Sequence, residues 1–94
     1  MLFRSQYLQQ LARDYPKDAR IFEMQARSYA ATGNQVLQHR ALAESYHLLG
    51  ALPSAIEQLQ LAQRLGGADF YVMSSIDARL RELKELMGQQ QGRK

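Results

Sequence analysis

Apolar residues recur every three or four positions along most of the chain, which is the spacing of one face of an α-helix. Strong helix formers dominate, and β-branched residues never alternate over a run as they do in strands. The pattern predicts five helices, whose inward residues are Tyr7, Leu8, Leu11 and Tyr15; Phe22, Ala26, Tyr29 and Ala30; Leu42, Ala43, Tyr46 and Leu49; Ala55, Ile56, Leu59, Ala62 and Leu65; and Met73, Ile76, Leu80, Leu83 and Met87.

Proline and glycine separate these helices. Pro16 ends the first helix, because the residue before a proline avoids the α region. Gly33 and Gly50 suit the left-handed conformation that follows a helix C-terminus, and Pro53 suits a first turn. Asp18 is expected to cap the second helix. Because the loops are short, consecutive helices should lie antiparallel.

The predicted domain covers residues 1–87. Its third helix runs from about Gln35 to Leu49, and Asp69 caps the fifth. The Gly/Gln-rich segment 88–94 has nothing apolar to bury, and we predict that it is disordered.

An internal repeat links the middle of the chain. Ala26, Tyr29 and Gly33 are repeated 17 positions later as Ala43, Tyr46 and Gly50. Together with Ala55 on the fourth helix, these residues form the signature of the repeat. Seventeen is half of the about 34 residues of a tetratricopeptide repeat. In such a hairpin the small residue lets two helices approach, the aromatic fills the adjacent space, and the glycine makes the turn. The pattern predicts tetratricopeptide-like antiparallel hairpins forming a short right-handed solenoid with a C-terminal capping helix. The third helix must then be both the second helix of one hairpin and the first helix of the next.

Charge and composition exclude several classes of function. The net charge is +3, and the 12 basic and 9 acidic residues are interspersed, whereas nucleic-acid binders usually cluster Lys and Arg. No run approaches the about 20 apolar residues that span a bilayer. The N-terminus lacks the apolar segment of a signal peptide, which leaves a cytosolic protein or a piece of a larger exported one. Cysteine is absent, so disulfides and thiolate sites are excluded.

No motif for catalysis or metal binding occurs in the sequence. His39 and His47 are the only histidines, and eight positions along one helix separate them by about 12 Å. One metal ion cannot bind both, and the H-E-x-x-H motif is missing. We interpret both histidines as hydrogen-bonded or solvent-facing residues. We therefore predict no enzymatic activity, no catalytic residue and no cofactor in this chain, and we expect its partners to be proteins.

Polar residues on the second and third helices form a candidate partner-binding surface. Some tetratricopeptide arrays grip an acidic C-terminal peptide with Lys and Asn on their first helices. The corresponding positions here lack Asn and include carboxylates, which argues against that clamp. The candidate surface comprises Arg20, Glu23, Arg27, Arg40, Glu44 and His47. An ordinary solvated face is the alternative for each of them.

Three segments resemble a known family. "QHRALAESY", "G-x-L-P-x-A-I-E-Q-L" and "DFY…IDARLREL", within about Asn34 to Met87, are similar to the C-terminal end of the periplasmic β-barrel assembly-enhancing protease family. These are bacterial zinc metallopeptidases with a C-terminal tetratricopeptide array. The resemblance implies that the zinc-binding catalytic domain lies upstream of this chain. It also implies a periplasmic location and a docking role toward outer-membrane β-barrel clients and their assembly machinery.

Two alternatives remain open at the level of sequence. One is a stand-alone tetratricopeptide adaptor of the cytoplasm. The other is a helical domain that dimerises through Leu83 and Met87, although the pattern itself does not indicate a homo-oligomer.

Overall fold

The computed structural model describes residues 2–91, with side chains described for residues 6–90. The elements are α1 (Leu2–Asp14), α2 (Ala19–Ala31), α3 (Gln35–Leu48), α4 (Leu52–Leu65) and α5 (Phe70–Gln91). Within these residues the predicted all-α fold of five helices is confirmed. None of the helices between residues 2 and 91 has both the length and the apolar character needed to cross a bilayer.

The C-terminal helix is longer than predicted. Helix α5 includes residues 88–91 and so extends beyond the predicted domain end at residue 87, while the disorder of segment 88–94 stays a prediction. Glutamine is a good helix former, and one glycine inside a helix costs only about 1 kcal/mol relative to alanine. The helix therefore continues past Gly88 without any apolar residue to bury. Residues 92–94 lie outside the described part of the chain.

Side-chain caps start three of the helices. The Asp18 carboxylate accepts a hydrogen bond from the backbone N–H of Arg20, and the Asp69 carboxylate accepts one from Val72 at 2.8 Å. Both caps were predicted. Asn34 also caps α3, a role that the sequence pattern had not indicated. Each cap satisfies a backbone donor that the first helical turn leaves without an intrahelical partner.

Helices α2 and α3 end in the same turn, 17 residues apart. Gly33 and Gly50 adopt φ values of +78° and +84°, in the left-handed region that favours glycine. In each turn the N–H of the residue after the glycine donates to the carbonyl of the tyrosine four residues before the glycine, at 2.9 Å. This hydrogen-bond pattern is a Schellman motif. The sequence repeat at Tyr29 and Tyr46 is therefore also a repeat in backbone geometry.

The core lies between α3, α4 and α5. Its fully buried residues are Ala43, Ala55, Leu59, Ala62, Ile76 and Leu83. Extensive contacts within the described residues join only helices that are neighbours in sequence. The molecule is elongated, with extents of 47 × 28 × 18 Å. Helices that are consecutive in sequence therefore pack against each other, as predicted.

Some residues predicted to face inward are exposed instead. These are Tyr7, Tyr15, Ala30, Leu49 and Leu65. Four of them lie in the last turn of a helix or just beyond it. Tyr7 lies on α1, which packs extensively only against α2. The spacing of apolar residues identifies the apolar face of a helix. It does not tell how much of that face a neighbouring helix covers.

The apolar stripe of α5 packs against the core of this chain. Leu83 has no exposed surface, and Met87 packs against the same core. Leu83, one of the two residues of the alternative dimer seam, is therefore already covered within one chain.

The repeated turn generates a prediction about two glycines. Gly50→Ala should lower the free energy of unfolding by about 1 kcal/mol, because an alanine at φ +84° is strained even though the space around it is open. Gly88→Ala, in the exposed interior of α5, should raise the free energy of unfolding by about 0.5–1 kcal/mol, because alanine is the better helix former. Urea denaturation followed by circular dichroism measures both. A Gly50→Ala variant as stable as the wild type, or more stable, would contradict the observed turn geometry.

Candidate functional site

A groove on one side of the molecule is lined by residues of four helices, α1, α2, α3 and α5. Its volume is about 520 Å³. Helix α4 contributes no residue to this lining and packs against α3 and α5 instead. The lining residues are Gln9, Ala12, Arg13, Phe22, Gln25, Tyr29, Leu37, Arg40, Ala41, Glu44, Ser75 and Arg79.

The apolar part of the lining comes mainly from α2 and α3. Phe22 and Tyr29 are half-buried, and so is Leu37. Their positions follow the spacing of one helical face on each helix. Two aromatic rings and a leucine that remain partly accessible offer contact area to an apolar side chain of a ligand.

A bidentate ion pair joins α3 to α5 along the groove. Arg79 Nε donates to Glu44 Oε2 at 2.7 Å, and Arg79 Nη2 donates to Glu44 Oε1 at 2.9 Å. Both side chains are less than one-third exposed, at 29% and 23%. The hydrogen bonds to Glu44 raise the pKa of Arg79, against the opposing effect of burial. Arg79 and Glu44 therefore neutralise each other at the groove surface.

A second polar link runs parallel to the ion pair. Arg40 Nη1 donates to Ser75 Oγ at 3.0 Å, and Ser75 Oγ donates to the Val72 carbonyl at 2.7 Å. Both links join residues 35 positions apart. Together they hold α5 against α3 in addition to the packing of α5 on α4.

The groove carries more positive than negative charge. Three guanidinium groups line it, from Arg13, Arg40 and Arg79, against the single carboxylate of Glu44. Arg13 donates to the neutral Gln10 at 3.2 Å, and Arg40 to the neutral hydroxyl of Ser75. Among the described residues, then, two of the three arginines have no carboxylate partner.

Only two of the six candidate surface residues lie in this groove, namely Arg40 and Glu44. Glu23 and Arg27 line a separate hollow of about 300 Å³ between α2 and α3, where Ser45 Oγ donates to Glu23 Oε1 at 3.4 Å. The structure therefore does not bring the six candidate residues together in one groove.

The remaining two candidates lie away from both hollows. Arg20 is at the start of α2, where its guanidinium binds the Asp18 carboxylate at 3.0 Å. His47 is half-buried on α3 and lines neither the groove nor the hollow.

Helix geometry explains why the six candidate residues do not line one groove. On α2 the groove is lined by positions 22, 25 and 29, and each residue is turned about 100° from its neighbour in sequence. Positions 23 and 27 therefore face a different direction. The 17-residue offset equates them with positions 40 and 44, but it relates two adjacent helices that run in opposite directions. Equivalent positions on such helices do not share one face of the molecule.

The sequence reasoning missed Arg13, Ser75 and Arg79 as groove residues. The offset of 35 positions between the linked residues of α3 and α5 is close to one full repeat of about 34 residues. Complementary residue types at that offset, rather than at the half-repeat offset, would have pointed to Ser75 and Arg79. Nothing comparable in the sequence marks Arg13.

The surroundings of the histidines show no arrangement for metal binding within the described residues. His39 Nδ1 and Gln58 Oε1 lie 2.7 Å apart and join α3 to α4, so His39 is hydrogen-bonded as predicted. Within the part of the chain that the structure describes, no three His, Asp or Glu side chains are grouped so that they could hold a metal ion.

Comparison of the chain with protein-family models, with curated proteins and with solved structures found no match. What the molecule can do is therefore inferred from the chemistry of the groove and from the residues that form it.

The ion pair generates a prediction about coupling. In a double-mutant cycle with Glu44→Gln and Arg79→Gln, we expect a coupling free energy of about 0.5–1 kcal/mol in low salt, at the upper end for partly exposed pairs because the contact is bidentate. Urea denaturation of the four proteins measures it. Glu44→Gln combined with Arg81→Gln, on the exposed side of α5, should be additive. Additivity in both cycles would contradict the observed contact.

The Asp18–Arg20 contact generates a prediction about pH. The guanidinium of Arg20, and then its backbone N–H, lower the pKa of Asp18 below its ordinary value of 3.8. The stabilisation from this group should therefore be complete above pH 3.8 and be lost as the pH falls through the lowered pKa. Arg20→Gln should raise the Asp18 midpoint in a carboxyl NMR titration, but not fully, because the backbone donor remains. Arg27→Gln is the control, and an equal rise there would contradict the pairing.

Proposed function

We propose that this chain is a protein-binding helical module whose groove holds a segment of a partner protein. The observation that carries the proposal is the convergence of four helices on an open groove that combines guanidinium groups with half-buried aromatic rings. Stacked helical hairpins characteristically build extended binding surfaces in this way. Tyr and Arg are also enriched among residues that dominate binding energy at protein interfaces.

We further propose that the module is the docking region of a periplasmic zinc metalloprotease that also acts as a chaperone in outer-membrane protein quality control. The resemblance of three segments to the β-barrel assembly-enhancing protease family supports this. Arg40 and Glu44 lie within "QHRALAESY", and Arg79 lies within "IDARLREL". The polar links between α3 and α5 thus connect two of the segments that carry the resemblance.

In this proposal the chain itself performs no catalysis. The zinc ion and the peptidase residues belong to an upstream catalytic domain. The tetratricopeptide-like array holds clients, which are outer-membrane β-barrel proteins, or the machinery that assembles them. The working compartment is the periplasm.

Site-specific photocrosslinking tests both levels of the proposal. A photoreactive p-benzoylphenylalanine replaces Gln9 in the groove or, as the matched control, Glu57 on the exposed side of α4. The chain is exported to the periplasm of a Gram-negative host, and the adducts are identified by mass spectrometry. We expect Gln9 to crosslink outer-membrane β-barrel proteins or their assembly components, and Glu57 to give no such adduct.

Circular dichroism first establishes that both variants are folded. Equal adducts from the two positions would contradict a role for the groove. Defined adducts formed only when the chain is kept in the cytoplasm would favour the stand-alone adaptor over the protease docking region. The absence of any adduct from Gln9 in a folded chain would contradict protein binding at this surface.

A further inference from the structure

We infer that the groove selects a partner segment carrying Asp or Glu side chains next to apolar ones. This inference rests on the proposed protein-binding function and specifies the chemical class of the partner.

The first argument is charge complementarity. Glu44 and Arg79 neutralise each other through two hydrogen bonds, so they leave little charge for a ligand. Arg13 and Arg40 contribute two further positive charges to the same groove, and their hydrogen-bond partners among the described residues are neutral. A segment with one or two carboxylates would balance the groove, whereas a basic segment would be repelled.

The second argument is preorganisation. The hydrogen bond to Ser75 restrains the half-buried Arg40 side chain at the groove before any ligand binds. A guanidinium has five N–H donors in a planar fork that matches a carboxylate, and the bond to Ser75 uses one of them. Little side-chain entropy remains to be lost when a carboxylate binds Arg40. Arg13, on α1, brings a second guanidinium from a different helix.

The third argument concerns the apolar neighbours. Phe22, Tyr29 and Leu37 line the same groove and remain partly accessible. Apolar side chains beside a bound carboxylate would cover these residues and exclude water, which strengthens charge-assisted hydrogen bonds. The preferred segment therefore combines acidic with apolar residues.

These features favour a peptide over a nucleic acid. A nucleic acid gains affinity by neutralising many phosphates along a basic surface. Here the charges of the chain are interspersed, and Glu44 lies within the groove itself.

Peptide selection tests the inference. A phage library displays random 12-residue peptides fused at their C-termini, so that any enriched carboxylate is a side chain. It is selected in parallel against the wild-type chain and against the Arg13→Gln/Arg40→Gln variant. We expect acidic–apolar peptides to be enriched on the wild type and lost on the variant.

Enriched sequences are then synthesised with amidated C-termini, and their dissociation constants are measured by fluorescence anisotropy. Each arginine substitution should weaken binding about tenfold, the size expected for losing one charge-assisted hydrogen bond. Arg27→Gln, outside the groove, is the matched control and should leave the affinity unchanged. Arg13 is exposed, so Arg13→Gln alone keeps the test valid if a change at Arg40 prevents folding.

Several results would overturn the inference. Enrichment of neutral or basic peptides, or acidic peptides that bind the arginine variants equally well, would refute it and leave protein binding by the groove intact. Tighter binding of a 20-residue thymidine oligonucleotide, lost in the same variants, would identify a nucleic-acid site instead. Failure to enrich any peptide would refute the inference that the groove selects a peptide segment. The crosslinking experiment at Gln9 tests the proposed protein-binding function independently.

Discussion

The close crossing of α3 and α4 is the contact on which the rest of the molecule depends. Ala43 and Ala55 have no exposed surface and belong to one core cluster with the fully buried Leu59. Alanine has no side chain beyond Cβ to hold two helices apart, so alanines at these positions permit the close packing of α3 on α4. Inserting a larger side chain into so tight a core typically costs about 1–3 kcal/mol. The crossing fixes the direction in which every other face of α3 points.

The same packing decides where the charges of the groove lie. Ile76, Leu80 and Leu83 are buried in the core, which sets the rotation of α5 about its own axis. Arg79 lies within that stretch, and the rotation brings its guanidinium to Glu44 on α3. The ion pair is thus a consequence of apolar burial on the neighbouring face. Because Glu44 is paired with Arg79, it does not neutralise Arg40, and the positive charge of Arg40 contributes to the net charge of the groove.

The local features of the fold could be predicted because they are encoded in residues close together in sequence. The caps at Asp18 and Asp69 and the turns at Gly33 and Gly50 each depend on hydrogen bonds that reach only a few residues along the chain. The apolar stripe of α5 likewise followed from its own spacing.

The groove could not be predicted in the same way, because it depends on which helices share a side of the molecule. The half-repeat offset equates positions on adjacent antiparallel helices, whereas the groove is lined by different faces of four helices. Glu23 and Arg27 were therefore grouped with Arg40 and Glu44, although they face a different hollow. The burial of Ser45, a polar residue, also depends on α2 covering it, which the residue type alone does not reveal.

The linear order of helix contacts has a consequence for the kinetics of the molecule. The core cluster is formed by α3, α4 and α5, whereas α1 packs extensively only on α2. A chain whose contacts are mostly local folds rapidly, and its parts open with different free energies. One wall of the groove can therefore separate while the core remains closed. We therefore expect the backbone amides of α1 to exchange with solvent through this smaller opening, at a lower free energy than the amides of the core helices.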